Sequence, residues 1–242
     1  FHHPIAKVRA IADEVGAKVL FDAAHLCGMI AGKVWPQPLV EGAHLMTFST
    51  YKSLGGPAGG LIVTNDDAIA QKLDAIAYPG LTANFDAAKT AALGVTLQDW
   101  KAVGPAYAQM MVKTSQALAQ NLQNRGVNIY AADKGFTTSH QFAILAAPYG
   151  GGQTAARRMA EAGLLACGIG LPIAPVEGDL NGLRIGTPEI VRLGMKVEHM
   201  DQLADFIARS LDATVDSLSV KSEVTQWRKQ FSGVHYTVDL PN

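Results

Sequence analysis

The chain has very little cysteine: Cys27 and Cys167 are the only two in 242 residues. Two isolated thiols cannot build a disulfide framework, and they lead us to expect a reducing compartment, the cytoplasm. Charge of one sign is also missing. Twenty Lys and Arg stand against 21 Asp and Glu, a formal net charge of −1, which leaves no electrostatic case for a nucleic-acid partner. No apolar run approaches the roughly 18 residues that would span a bilayer, so no membrane partner is expected. Neither a repeat nor a low-complexity linker interrupts the chain. His2-His3 and His25-x-Cys27 match no zinc spacing, and no metal is expected. What remains is a core-forming composition, 48% hydrophobic and 17% charged, long enough for one large or two small domains.

The most informative stretch runs from Leu45 to Val63. Apolar Leu45, Met46 and Phe48 lead into Ser49-Thr50-Tyr51-Lys52, then Ser53-Leu54-Gly55-Gly56-Pro57-Ala58-Gly59-Gly60, then Leu61-Ile62-Val63. This reads as strand, polar loop, glycine-rich turn and strand. Lys52 is the only Lys or Arg between Lys33 and Lys72. A lysine between two buried strands is costly to desolvate unless it has a task. Desolvation favours the neutral amine, which can form a Schiff base. The plainer reading is a lysine whose ammonium snorkels to solvent at a strand end.

A second apolar run, Val19-Leu20-Phe21, ends in Asp22-Ala23-Ala24-His25. Two neighbouring strands of an α/β sheet would then carry an acid and an amine at their ends, where open α/β sheets bind ligands. An aspartate there can pair with a protonated pyridine nitrogen, and a lysine can hold an aldehyde. Pyridoxal 5'-phosphate needs both. The plainer reading of Asp22 is a cap for the segment that follows.

Asp22-Ala-Ala-His25, Gly28, Pro36-x-Pro38, His44, the Ser49–Gly60 stretch and Gly182-Leu183-Arg184-Ile185-Gly186-Thr187-Pro188 together resemble the serine hydroxymethyltransferase family. The resemblance covers most of residues 1–212. It implies an α/β fold of the aspartate-aminotransferase type, with a mostly parallel sheet covered by helices on both faces. It implies pyridoxal phosphate held as a Schiff base on Lys52, with Asp22 at the ring nitrogen, His25 by the ring oxygen, and Ser49 and Tyr51 near the phosphate or the reacting bond. Arg184 would hold the substrate carboxylate through two parallel hydrogen bonds. The implied activity is making or breaking the Cα–Cβ bond of a β-hydroxy-α-amino acid. Tetrahydrofolate is one acceptor. Threonine-aldolase or transaldolase chemistry without folate is the alternative, as is an inactive truncated homologue. The family also implies a homodimer or larger assembly.

Four departures stand out. Tyr51 takes the place of a histidine, and Ala58 that of an arginine. Pro79–Asn84 replaces a more glycine-rich loop that reaches the partner subunit's phosphate in the family. Cys167-Gly-Ile-Gly-Leu-Pro172 replaces asparagines near the folate, so polar contacts for a pterin are lacking there. The chain opens at Phe1-His2-His3-Pro4, and by the resemblance about half of the family's sequence is expected to precede it, as part of the same polypeptide or as a separate chain.

The rest of the pattern predicts a helix after Pro4 ending at Gly16, with Ile5, Val8, Ala12 and Val15 on one face. A helix capped by Asn65 or Asp66 is expected to run to about Ala77. Residues 86–124 read as helical with interruptions near Gly94 and Gly104-Pro105. A domain boundary follows: residues 1–124 as the C-terminal part of the cofactor-binding large domain, and 125–242 as a small α+β domain. In the latter, strands are expected at 127–130 and 141–147, an alanine-rich helix at 154–167, a short strand at Arg184–Ile185 and an amphipathic helix at 198–211. Val215–Phe231 reads as weakly helical, with extended residues after it. Gly150-Gly151-Gly152 lacks the Lys-Ser/Thr of a phosphate loop and reads as plain loop.

Overall fold

The computed structural model describes residues 1–238. These divide into two compact units, Phe1–Ala108 together with 236–238, and Gln109–His235.

The first unit begins with α1 (Ile5–Glu14), whose start is set by Pro4 and whose end is followed by Gly16 in the left-handed region, φ +64°. Ile5 and Ala12 are buried, whereas Val8 and Val15 of the expected apolar face stand exposed. The chain then forms β1 (Leu20–Asp22), α2 (Cys27–Ala31), β2 (Leu45–Ser49) and β3 (Gly60–Thr64). β1 pairs in parallel with β2, with Asp22 opposite Thr47. β2 pairs antiparallel with β3, from Leu45 opposite Thr64 to Ser49 opposite Gly60. One of the two pairings is thus antiparallel, because the ten residues between β2 and β3 turn the chain straight back. His44 ties the three strands at one end: its Nδ1 accepts the Val19 N–H (2.9 Å), and its carbonyl accepts the Thr64 hydroxyl (2.6 Å).

α3 (Asp67–Ala75) is capped by Asp66, whose carboxylate accepts the Ile69 N–H at 3.0 Å. Beyond an irregular turn at Ile76–Leu81, α4 (Ala87–Asn124) runs without a break for 38 residues. The interruptions expected at Gly94 and Gly104-Pro105 do not occur. Gly104 instead supplies room: a Cβ there would fall 2.6 Å from the Trp100 ring, and one on Gly32 would overlap the Ala108 side chain. Close approach of α2 to α4 calls for the glycine at 32, and the Trp100 ring for the one at 104, whereas Gly94 meets nothing within 4 Å.

In the second unit, β4 (Gln141–Leu145), β5 (Cys167–Ile169) and β6 (Gly182–Gly186) form an antiparallel sheet in the order β4-β6-β5. α5 (Gly152–Glu161) stops before Gly163 (φ +82°), so the expected helix to Cys167 ends early and Cys167 begins β5. Residues 127–130 contribute only an isolated bridge, Ile129 with Ile144. The start of α5 is held by Asp179, whose carboxylate accepts the Gln153 and Thr154 N–H groups (2.9 Å each) and the Thr154 hydroxyl (2.8 Å). These bonds, the one from Gln153 first, hold the Asp179 carboxyl well below the usual carboxylate range. The glycines at 150–152 therefore lead into a helix start already occupied by a carboxylate. α6 (Pro188–Arg192), α7 (Met200–Leu211) and α8 (Ser217–Arg228) complete the unit. Leu122, Ile144, Met159, Leu183, Met200 and Leu211 sit in its core, and Phe206, Val220 and Val224 join α7 to α8. Among the described residues no helix is long and apolar enough to cross a membrane.

Candidate active site

Parallel pairing of β1 with β2 sends the C-terminal ends of both strands to the same edge of the sheet. Asp22 is the last residue of β1, and Lys52 follows the last residue of β2 by three positions.

The loop that presents Lys52 closes on its own backbone. Thr50 is buried; its N–H donates to the Gly59 carbonyl (3.0 Å), its hydroxyl to the Pro57 carbonyl (2.5 Å), and its carbonyl accepts the Gly56 N–H (2.8 Å). The Lys52 carbonyl accepts the Gly55 N–H (2.8 Å), and Gly55 adopts φ +68°, open to glycine at little cost. Seven backbone polar groups near the strand end are satisfied in this way without the lysine side chain. Lys52 is half-buried, and its Nζ lies 5.9 Å from the centre of the Tyr51 ring. Tyr51 itself is 53% exposed.

Two further elements brace the loop. Ser53 is 2% exposed; its hydroxyl donates to the His25 carbonyl (2.7 Å) and accepts the Gly28 N–H (2.9 Å). Trp100 on α4 donates its indole N–H to the Leu54 carbonyl (2.7 Å). Gly28 is the seat of this contact, since a Cβ there would lie 2.7 Å from the Ser53 carbonyl carbon and 3.0 Å from the Trp100 ring.

The exposed Asp22 carboxylate accepts the Ala24 N–H at 2.9 Å, so it also does what a cap does. His25 is half-buried, with its backbone held by Ser53. Ser49 closes β2, and its carbonyl accepts the Cys27 thiol at 3.2 Å. Among the described residues neither Asp22 nor Lys52 enters an ion pair, and the Ser49 and Tyr51 hydroxyls make no hydrogen bond. The structure thus gathers Asp22, His25, Ser49, Tyr51 and Lys52 around one sheet edge. Arg184 belongs to the second unit, in the middle of β6, opposite Ala143 of β4 and Cys167 of β5. Just beyond it the buried Thr187 donates its hydroxyl to the Met111 carbonyl at 2.8 Å. Sequence reasoning did not single out Ser53 or Trp100. Ser53 lay inside the quoted motif, whereas Trp100 carried no local signal.

The family model described as serine hydroxymethyltransferase matches residues 3–207. The chain belongs to the serine hydroxymethyltransferase family. Curated relatives within reach of this family member include an alpha-methylserine aldolase of Variovorax paradoxus, 62% identical over 238 residues, which cover 98% of this chain and 54% of the relative. An alpha-methylserine aldolase of Ralstonia sp is 58% identical over 236 residues, 98% of this chain and 54% of that protein. A serine hydroxymethyltransferase of Methanobrevibacter smithii is 40% identical over 239 residues, 98% of this chain and 56% of its own length. The chain spans about half the length of the curated relatives it matches. A crystal structure of L-threonine transaldolase from Pseudomonas fluorescens, in its internal aldimine state, superposes with a TM-score of 0.89 at 23% identity, over 98% of this chain and 54% of that one. That likeness establishes the α/β fold of this serine hydroxymethyltransferase family member.

Proposed function

We propose that the protein containing this chain binds pyridoxal phosphate at the β1–β2 edge and cleaves or forms the Cα–Cβ bond of a β-hydroxy-α-amino acid. The observation that carries this reading is the shared edge: a carboxylate and a half-buried amine at the ends of two parallel, paired strands, neither engaged in an ion pair among the described residues. The donor set fits the cofactor. Asp22 would hold the proton at the pyridine nitrogen, Lys52 would take the aldehyde carbon through Nζ, and His25 would lie by the ring oxygen. The unbonded hydroxyls of Ser49 and Tyr51 are suited to the phosphate or the reacting group. When bound, the cofactor supplies an electron sink for the carbanion left by bond cleavage. Arg184 would orient the substrate carboxylate through its planar fork, which sets the bond that breaks.

Greater identity to alpha-methylserine aldolases than to serine hydroxymethyltransferases favours folate-free aldol cleavage. On α-methylserine this releases the hydroxymethyl group as formaldehyde and leaves alanine. Tetrahydrofolate-dependent transfer from serine is the second reading, and the apolar β5 stretch in place of asparagines speaks against it. We further propose that residues 1–124, ending with α4, are the C-terminal part of the cofactor-binding domain, and that 125–242 form the small domain. A homodimer or larger assembly and the cytoplasm as compartment belong to the same proposal.

The test is borohydride reduction of the full protein with pyridoxal phosphate, then peptide mapping. The adduct should map to Lys52 and vanish in Lys52→Ala; an adduct that persists elsewhere refutes the assignment. Formaldehyde release from α-methylserine without added folate separates the two activities.

A further inference from the structure

We propose that Ser53 is a positioning residue that locks the Lys52 backbone to the segment carrying His25, so that amine and imidazole keep one spacing through turnover. The proposal rests on pyridoxal phosphate binding at Lys52. The Lys52 side chain is long, with several freely rotating bonds, so its amine returns to one point only if its backbone is fixed. Ser53 is the next residue, buried, and its hydroxyl spends both a donor and an acceptor on one short stretch: the His25 carbonyl at 2.7 Å and the Gly28 N–H at 2.9 Å. Gly28 is the second residue of α2, in the first turn, where backbone N–H groups have no partner within the helix. A side chain 25 residues further along the chain supplies that partner. The bare α-carbon of Gly28 lets the Ser53 carbonyl settle against it, and Trp100 holds the following carbonyl from α4. One hydroxyl therefore spans the two stretches that would contact the cofactor ring and its aldehyde. Its removal takes the partner from the buried Gly28 N–H and breaks the bond from the Lys52 loop to the His25 backbone, freeing the two stretches to move independently.

Ser53→Ala in the full protein tests this, with Asp66→Ala as comparison, since that change removes the α3 cap in the same unit without touching the clamp. For Ser53→Ala we expect pyridoxal phosphate capture by the apo-protein to slow by about tenfold or more. Turnover should fall while the amino-acid KM stays within about twofold. Asp66→Ala should lower the melting temperature yet leave capture and turnover near those of the parent. Equal losses in the two variants, or parental capture by Ser53→Ala, overturn the proposal. If Ser53→Ala does not fold, Gly28→Ala decides: it shifts the Ser53 carbonyl while keeping the hydroxyl, and unchanged capture there also overturns it. A borohydride adduct that survives Lys52→Ala would instead discard the cofactor reading beneath it.

Discussion

Gly28→Ala is a one-carbon perturbation whose consequence can be worked from distances. The new methyl would lie 2.7 Å from the Ser53 carbonyl carbon and 3.0 Å from the Trp100 ring, on two sides at once. Carbon pairs rest near 3.5–4.0 Å, so something must move by about 1 Å. The Trp100 ring has little freedom, because its indole N–H is bonded to Leu54 and the residue is buried. The Ser53 carbonyl belongs to backbone held by the Ser53 hydroxyl, the Gly55–Lys52 bond and Trp100. Overpacking against rigid neighbours costs about 1–3 kcal/mol. Alanine returns up to about 1 kcal/mol as the better helix former, and less in a helix as short as α2. The two ranges leave a net loss of up to about 3 kcal/mol, and a loss rather than a gain is expected because a helix as short as α2 returns little of the propensity term. Urea unfolding of the parent and variant full proteins measures it, with the slope compared so that a change in the unfolded state is not mistaken for one in the fold. Gly28→Ala equal to or more stable than the parent would refute the reasoning, because the propensity gain would then be uncompensated and the contact geometry wrong.

Arg184→Lys keeps the charge but loses the two-pronged fork, so the amino-acid KM should rise by about tenfold or more with pyridoxal phosphate affinity unchanged; steady-state kinetics beside a cofactor titration checks this. His44 is pushed below its ordinary range by burial first and then by Arg9 and Lys18, and its neutral ring accepts the Val19 N–H. The folded chain therefore takes up this proton less readily than the unfolded one. His44's contribution is full above about pH 6.5 and is lost as pH falls toward the lower folded value, which urea midpoints between pH 7.5 and 5.5 should show and His44→Phe should flatten. Asp179 has the same sign for a carboxyl: its contribution is present above the ordinary carboxyl range and lost as acid titrates the lower folded value. Asp179→Asn should lower the melting temperature at pH 7 and converge with the parent in acid; a constant gap would show that charge is not what holds α5.

The ends of β1 and β2 were legible because each is a short apolar run that gives way to polar residues, Asp22 directly after β1's apolar residues and Ser49-Thr50-Tyr51-Lys52 after those of β2. Much of what was not legible lies in close approaches between residues. Gly94 and Gly104-Pro105 look in one dimension like places where a helix fails, and α4 was accordingly expected to break. In three dimensions Gly28 and Gly32 are places where residues far along the chain come too close for a side chain, and at Gly104 the Trp100 ring of the same helix does so while α4 continues. The same holds for α5, whose start is secured by Asp179, more than 20 residues later, and whose end is set by local backbone at Gly163. A motif names the residue that reacts, because reaction depends on side-chain type. It does not name what holds that residue still, because holding depends on hydrogen bonds such as Trp100 to Leu54, 46 residues apart. If precise placement of an amine matters to the chemistry, substitutions at Ser53, Gly28 and Trp100 should impair the site in proportion to how far they release the Lys52 loop, although none of the three need touch a ligand. A side chain that only completes the core would show no such ordering, and that ordering is measurable across the three substitutions.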